Sequence, residues 1–129
     1  DINYQQMIEV AFKDFQEVFD KLVEEKAPFV AVFSAEKDDK GDTWCPDCKT
    51  AAPFYPEVVE RAHQKNMKVY LFYVGPREVY KSPEHPFRTN KLIKLTCIPT
   101  IALFDGKIFT GRLQEDEILV KQMREILFE

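Results

Sequence analysis

Two cysteines separated by two residues, Cys45 and Cys48, stand inside the stretch Thr43-Trp44-Cys45-Pro46-Asp47-Cys48-Lys49. That spacing suits dithiol redox chemistry. At the start of a helix, two intervening residues bring both sulfurs onto one turn, close enough to form a small disulfide ring. Pro46 fits the first helical position, where its missing N–H is no loss and its fixed φ matches the helix. Cys45 then lies at the helix N-terminus, where unpaired amides and the macrodipole favour a thiolate. Asp47 complements that dipole but opposes a charge on Cys45. The amides point at the sulfur while Asp47 can turn to solvent, so the thiolate is expected to form. Cys48, one turn in, is expected to be more buried. On this reading Cys45 attacks and Cys48 resolves. The other chemistry open to a C-x-x-C pair is half of a zinc site. A closed site takes four ligands, and only Cys97, His63 and His85 remain, none paired at ligand spacing. Redox chemistry is the reading adopted, with no metal and no bound cofactor.

At 129 residues the chain (1–129) is long enough to bury a core as one domain without disulfide staples. Its 45% hydrophobic and 31% charged residues suit a soluble globular protein. The net charge of −4 leaves no basic footprint for nucleic acid or anionic membrane. No apolar run approaches the length of a membrane span. Asp1-Ile2-Asn3-Tyr4 lacks the pattern of a secretory signal, and without an initiator methionine a leader or a few residues are expected to have been trimmed. Three cysteines, one unpaired by count, point to a reducing compartment, and the cytoplasm is expected.

The elements around the dithiol follow from periodicity. Met7-Ile8-Glu9-Val10 is a short first strand. Phe12, Phe15, Val18, Phe19, Leu22 and Val23 recur at helical spacing and predict an amphipathic helix ending near Lys26, before Pro28. Phe29-Val30-Ala31-Val32-Phe33 reads as a strand buried on both faces. Residues 35–43 form an unusually long strand-to-helix loop, either a solvated excursion or a lip over the site. The helix from Cys45 runs to about Gln64, bent or split at Pro53. Lys68-Val69-Tyr70-Leu71-Phe72-Tyr73-Val74 is the next buried strand. Residues 75–95 are the least regular, with a short helix within 87–95. There His85, between prolines, is expected in an exposed loop, and His63 on the solvated side of its helix. Asp105-Gly106 predicts a type I′ turn between Ile101-Ala102-Leu103-Phe104 and Lys107-Ile108-Phe109-Thr110. Leu119, Met123, Ile126 and Leu127 mark a last amphipathic helix. The order β-α-β-α-β-α-β-β-α implies an α/β fold with a parallel portion and an antiparallel one.

Over essentially the whole chain this pattern resembles thioredoxin. The dithiol follows the second strand, Pro53 matches the kink proline of the active-site helix, and Ile98-Pro99-Thr100 matches the cis-proline loop. The resemblance implies a thioredoxin-like fold, a central mixed sheet with helices on both faces. It also implies a cis bond at Pro99, Ile98 as a backbone pairing partner for substrate, and Trp44 as a flat wall beside the nucleophile. Cys97 would lie near the same surface, as a buried small hydrophobe or as a reactive thiol.

A narrower resemblance is to the cytosolic thioredoxin-related proteins with a Trp-Cys-Pro-Asp-Cys centre, the thioredoxin domain-containing protein 17 family. It rests on Trp44-Cys45-Pro46-Asp47-Cys48, the long preceding loop, Val74-Gly75 with Tyr80-Lys81, and Phe87-Arg88 with Asn90. It implies a disulfide reductase supporting cell redox homeostasis, recharged by NADPH through thioredoxin reductase. The implied substrates are restricted disulfides such as cystine or flexible protein disulfides, with some peroxide reduction, and a monomer is expected. Where thioredoxin keeps a buried aspartate that helps its resolving cysteine, this chain has Val32. A thioredoxin-fold binding module without turnover is the alternative, but such modules often lack one or both cysteines.

Overall fold

The computed structural model describes residues 7–106 and 108–129. Residues 1–4, read above for a secretory signal, and Lys107 of the expected hairpin lie outside the described residues. The strands are β1 (Met7–Val10), β2 (Pro28–Ser34), β3 (Lys68–Tyr73), β4 (Thr100–Asp105) and β5 (Ile108–Gln114). The helices are α1 (Phe15–Glu25), α2 (Pro46–Ala51), α3 (Tyr55–Gln64), α4 (Arg77–Lys81), α5 (Pro86–Thr89) and α6 (Lys121–Leu127).

One mixed sheet runs in the order β1-β3-β2-β4-β5. β1, β3 and β2 are parallel, whereas β4 is antiparallel to β2 and β5 to β4. Both faces of β2 are covered, which explains its unbroken apolar run. On one face α1 lays Phe15, Phe19 and Leu22 over Phe29, Phe33, Phe72 and Phe104. Phenylalanine rings meet there both edge to face, Phe19 and Phe104 at 5.7 Å, and stacked, Phe29 and Phe104 at 5.2 Å. On the other face α2 and α3 set Ala51, Tyr55, Val58, Val59 and Ala62 on Val30, Val32, Val69, Leu71 and Ile101. Two apolar layers on one sheet hold β2 fixed, and β2 delivers the chain to the dithiol. α1 stops at Lys26, whose left-handed φ of 60° lets its N–H bond back to Val23.

Four expectations need correction. First, residues 75–95 are more regular than their prolines suggest, with α4 and α5 inside them. Second, His85 is not an exposed loop residue but is 1% exposed: it is the N-cap of α5, and its ring packs among Phe12, Tyr80 and Phe87. Third, Asp105 pairs with Ile108 inside the ladder rather than sitting in the turn, and Gly106, at φ +62°, begins the turn. Fourth, Leu119 and Ile126 do not face the core, and Ile126 is 59% exposed. Glu115–Leu119 is a tight 3-10 segment and Val120 is extended, which resets the phase of α6. The face of α6 that meets the fold carries the expected Met123 and Leu127 together with Arg124, with Phe128 just beyond its end.

Candidate active site

Local chemistry places the dithiol. Cys45 is extended (φ −113°, ψ 94°) and caps α2, with Pro46 at the first helical position. Its amide donates to Thr43 Oγ1 at 3.3 Å, which closes the end of the 35–43 loop on the helix. The Cys48 amide donates to Cys45 Sγ at 3.2 Å. Cys45 and Cys48 are joined by a disulfide with Cα atoms 5.3 Å apart. Cys45 is 6% and Cys48 3% exposed, so the inner cysteine is the more buried by a narrow margin. Pro53 cannot supply an amide to the helical ladder. The chain therefore passes through a 3-10 turn at Ala52–Phe54 between α2 and α3.

The tertiary fold brings a second loop to this helix end. The Ile98–Pro99 bond is cis. Cys45 Sγ lies 4.0 Å from the Ile98 carbonyl oxygen, 53 residues away in sequence. Thr100 Oγ1 donates to the Cys97 carbonyl at 2.8 Å and steadies the approach to the proline. Trp44 packs on Tyr80 with ring centres 5.8 Å apart. Trp44, Cys45, Asp47, Cys97 and Ile98 line one open cleft of about 470 Å³. Asp47 is exposed and makes no ion pair among the described residues. Cys97 is half-buried, between the two alternatives that the sequence left open.

Behind Cys48 lies a smaller cavity of about 170 Å³, lined by Cys48 together with Glu9, Ser34, Lys37, Tyr55 and Tyr73. Val32 is fully buried beneath α2 and α3 and offers no carboxylate. Glu9 of β1 is the carboxylate lining this cavity, and the Tyr73 hydroxyl donates to it. Burial, followed by that bond to Glu9, pushes the Tyr73 phenol well above its ordinary range. Parallel pairing of β1 with β3 puts Glu9 there, a placement with no local sequence signal.

His63 is exposed on α3. His85 sits outside the dithiol cleft and has a structural place. The Phe87 amide donates to His85 Nδ1 at 3.1 Å, so the ring proton belongs on Nε2, which donates to the Val74 carbonyl at 2.8 Å. Burial lowers its pKa, opposed by the Val74 bond and assisted by the nearby Arg88. Among the described residues no group of three or more His, Cys, Asp or Glu is placed to hold a metal ion. No helix among them is long and apolar enough to cross a membrane.

The chain matches the family model described as thioredoxin domain-containing protein 17-like, thioredoxin domain, over residues 9–129. It is 32% identical over 122 residues to thioredoxin domain-containing protein 17 of Mus musculus, covering 93% of this chain and 94% of that protein. It is 31% identical over 98 residues to the thioredoxin-like protein Clot of Arabidopsis thaliana, covering 76% and 72%. Among solved structures, oxidised thioredoxin O2 from Arabidopsis thaliana superposes with a TM-score of 0.62 at 17% identity, covering 100% of both chains. Thioredoxin from Trypanosoma brucei brucei gives 0.61 at 16% identity, covering 98% and 96%. The fold is thus thioredoxin-like, its cysteine pair suits redox chemistry, and the chain belongs to the thioredoxin domain-containing protein 17-like family.

Proposed function

We propose that this protein is a disulfide reductase with Cys45 as nucleophile and Cys48 as resolving thiol. The observation that carries the reading is the seat of Cys45 Sγ. The Cys48 amide donates to it from within the helix, and the Ile98 carbonyl faces it across an open cleft. In the reduced protein the Cys45 thiolate attacks one sulfur of a substrate disulfide. That S–S bond breaks, the departing thiolate takes a proton from solvent, and Cys45 holds the mixed disulfide. Cys48 then gives up its proton and attacks Cys45 Sγ, which releases the second substrate thiol and leaves the Cys45–Cys48 bridge. The substrate gains two electrons and two protons, and the dithiol loses them. NADPH, acting through thioredoxin reductase, returns the electrons.

Supporting roles follow from position. Trp44 walls the cleft, Pro46 starts the helix, and Pro99 holds the Ile98 backbone where an extended substrate segment can pair with it. Asp47 tunes the charge at the cleft mouth. The substrates are small disulfides such as cystine and disulfides on flexible segments, and the setting is the reducing cytoplasm.

Consumption of NADPH with thioredoxin reductase, this protein and cystine tests the reading. Cys45→Ser should reduce turnover to background. Cys48→Ser should still attack through Cys45 and should accumulate a mixed disulfide there, seen by mass spectrometry. An adduct mapping to Cys48 in the Cys45→Ser protein would reverse the two roles. Absence of turnover in the parent, with partner binding retained, would favour a binding module.

A further inference from the structure

One wall of the Cys45 cleft is not used by the reaction proposed above. Arg77, Lys81 and Arg88 line it, against Asp47 and Glu115, so cations outnumber carboxylates. Across Trp44 the neighbouring groove has the opposite balance, with Glu36, Asp38 and Asp42 against Lys37. The field therefore changes sign at the tryptophan, and an anionic group beside a disulfide is drawn toward the Arg88 side.

Arg88 is held differently from Arg77 and Lys81, which are exposed. It is half-buried, and its Nε donates to the Tyr80 carbonyl at 3.1 Å. Its Nη1 donates to the Thr96 carbonyl at 3.5 Å. Its guanidinium lies 4.3 Å from the centre of the Tyr80 ring. All of these partners are neutral, and no carboxylate pairs with Arg88 among the described residues. A guanidinium oriented by neutral contacts keeps its charge and its remaining N–H donors for an external anion.

A second observation comes from Tyr80, which is itself 5% exposed. The Arg88 guanidinium beside its buried hydroxyl can only donate, so the O–H has no acceptor among the described residues, on a side chain that lines this cleft. A buried donor left unsatisfied is costly, and such groups stand where an absent acceptor would complete them.

We propose that Arg88 and Tyr80 form a carboxylate-recognition site that selects disulfides carrying a carboxylate close to the reacting sulfur. Arg88 supplies the charge and Tyr80 a hydroxyl donor, while Trp44 and Ile98 hold the sulfur-bearing part over Cys45. The proposal rests on the disulfide-reductase reading and adds its substrate class. The carboxylate can belong to a small dicarboxylic disulfide or to an acidic side chain beside a peptide cysteine.

The test uses pre-reduced protein mixed with excess disulfide, with protein thiols counted by alkylation quench so that no recycling enzyme is needed. The small probes are 3,3′-dithiodipropionate and neutral bis(2-hydroxyethyl) disulfide. The peptide probes are two disulfide-linked peptides with Glu or Gln beside the cysteine. Arg88→Gln should lower the charged-to-neutral rate ratio about tenfold at low salt, the size of a lost charge-assisted hydrogen bond. Arg88→Lys should recover part of it, and Arg77→Gln should change it less. Tyr80→Phe should also lower the ratio while leaving thermal stability unchanged or raised, since it removes an unpaired buried donor. The neutral disulfide's rate controls for distortion of the cleft. Dependence with the dipropionate alone, or with the peptides alone, identifies the source of the carboxylate. An unchanged ratio in Arg88→Gln and Tyr80→Phe for both probe pairs overturns the site but leaves the reductase reading standing. If none of the disulfides oxidises the parent, the reductase reading falls and the site with it.

Discussion

At the scale of single residues, His85 and Gly75 show how a backbone requirement is met next to the cleft. His85 is neutral in the fold because Nδ1 accepts the Phe87 amide, and a second proton would face that donor. Its ring also stacks on Phe12 at 4.9 Å in a buried setting that penalises charge. The unfolded chain binds this proton near pH 6.5 and the folded chain only at lower pH, so the linked stability is full above pH 6.5. It is lost as the pH falls below 6.5 toward the folded value. Thermal melts between pH 7.5 and 5.5 should show this fall, and His85→Gln should flatten it. A parent melting temperature that stays constant across this window would show that His85 protonates without cost. Gly75 sits at φ +84°, and a Cβ there would lie 3.0 Å from the Phe12 ring. Gly75→Ala should cost about 1–2 kcal/mol from the backbone alone, with steric strain added. Urea unfolding measures it.

At the scale of elements, α6 and the 35–43 loop depend on polar contacts as well as on apolar ones, Met123 and Leu127 packing on the core beside Arg124. Arg124 is buried, and it donates to both Glu57 oxygens at 2.9 and 3.1 Å and to the Ile118 carbonyl at 2.8 Å. Its guanidinium also covers the Phe54 ring at 4.6 Å. Glu57 is held below its ordinary pKa, first by Arg124 and then, against a burial cost, by Arg61. This contribution is present above about pH 4.5 and is lost as the pH falls further, below the His85 window. Arg124→Ala should cost about 2–3 kcal/mol in urea unfolding and loosen α6 from α3, because it removes three hydrogen bonds to Glu57 and Ile118 and leaves Glu57 to Arg61 alone. The loop is closed on itself. The Asp38 carboxylate accepts the Lys40 and Asp42 amides, both at 2.9 Å, and Gly41 turns the chain at φ +81°. Its link to α2, Lys49 with Asp42 at 3.4 Å, is exposed and contributes little. The loop and Trp44 line one groove. Replacing residues 36–42 with a two-residue linker should therefore raise the rate on a bulky protein disulfide more than the rate on cystine. Circular dichroism first confirms that the variant is folded. Equal gains on both substrates would reduce the loop to a solvated excursion.

At the scale of the whole molecule, both sheet edges discourage pairing with another chain. β1, at one edge, is only four residues long. β5, at the other, meets β4 through a register shift between Leu103 and Phe104 and carries Arg112 over Phe109. Short, irregular or charged edges make poor templates for another strand. The protein is therefore expected to sediment as a monomer of about 15 kDa at tens of micromolar. A concentration-dependent shift to twice that mass would contradict this account of the edges.

What the sequence determined by itself is local. The Cys45–Cys48 spacing with Pro46, the continuous apolar run of β2, the helical phenylalanine stripe and the kink at Pro53 each follow from contacts within a few residues. Those elements formed where expected. The family pattern added the cis bond at Pro99, which no local propensity dictates. The remaining features depend on partners far apart in the chain. Cys45 faces Ile98 only because β2 and β4 are neighbours in the sheet. Glu9 lines the space behind Cys48 only because β1 pairs with β3. His85 is buried because Val74 and Phe12 surround it, although its flanking prolines suggest a loop. Arg124 binds Glu57 on the face of α6 where Met123 and Leu127 pack, a buried charge that apolar periodicity does not register. Periodicity registers which side chains avoid water, but not which distant polar group satisfies a buried donor or acceptor. Sheet order and helix docking decide that pairing, and in this protein they also decide the charge of the cleft around the dithiol.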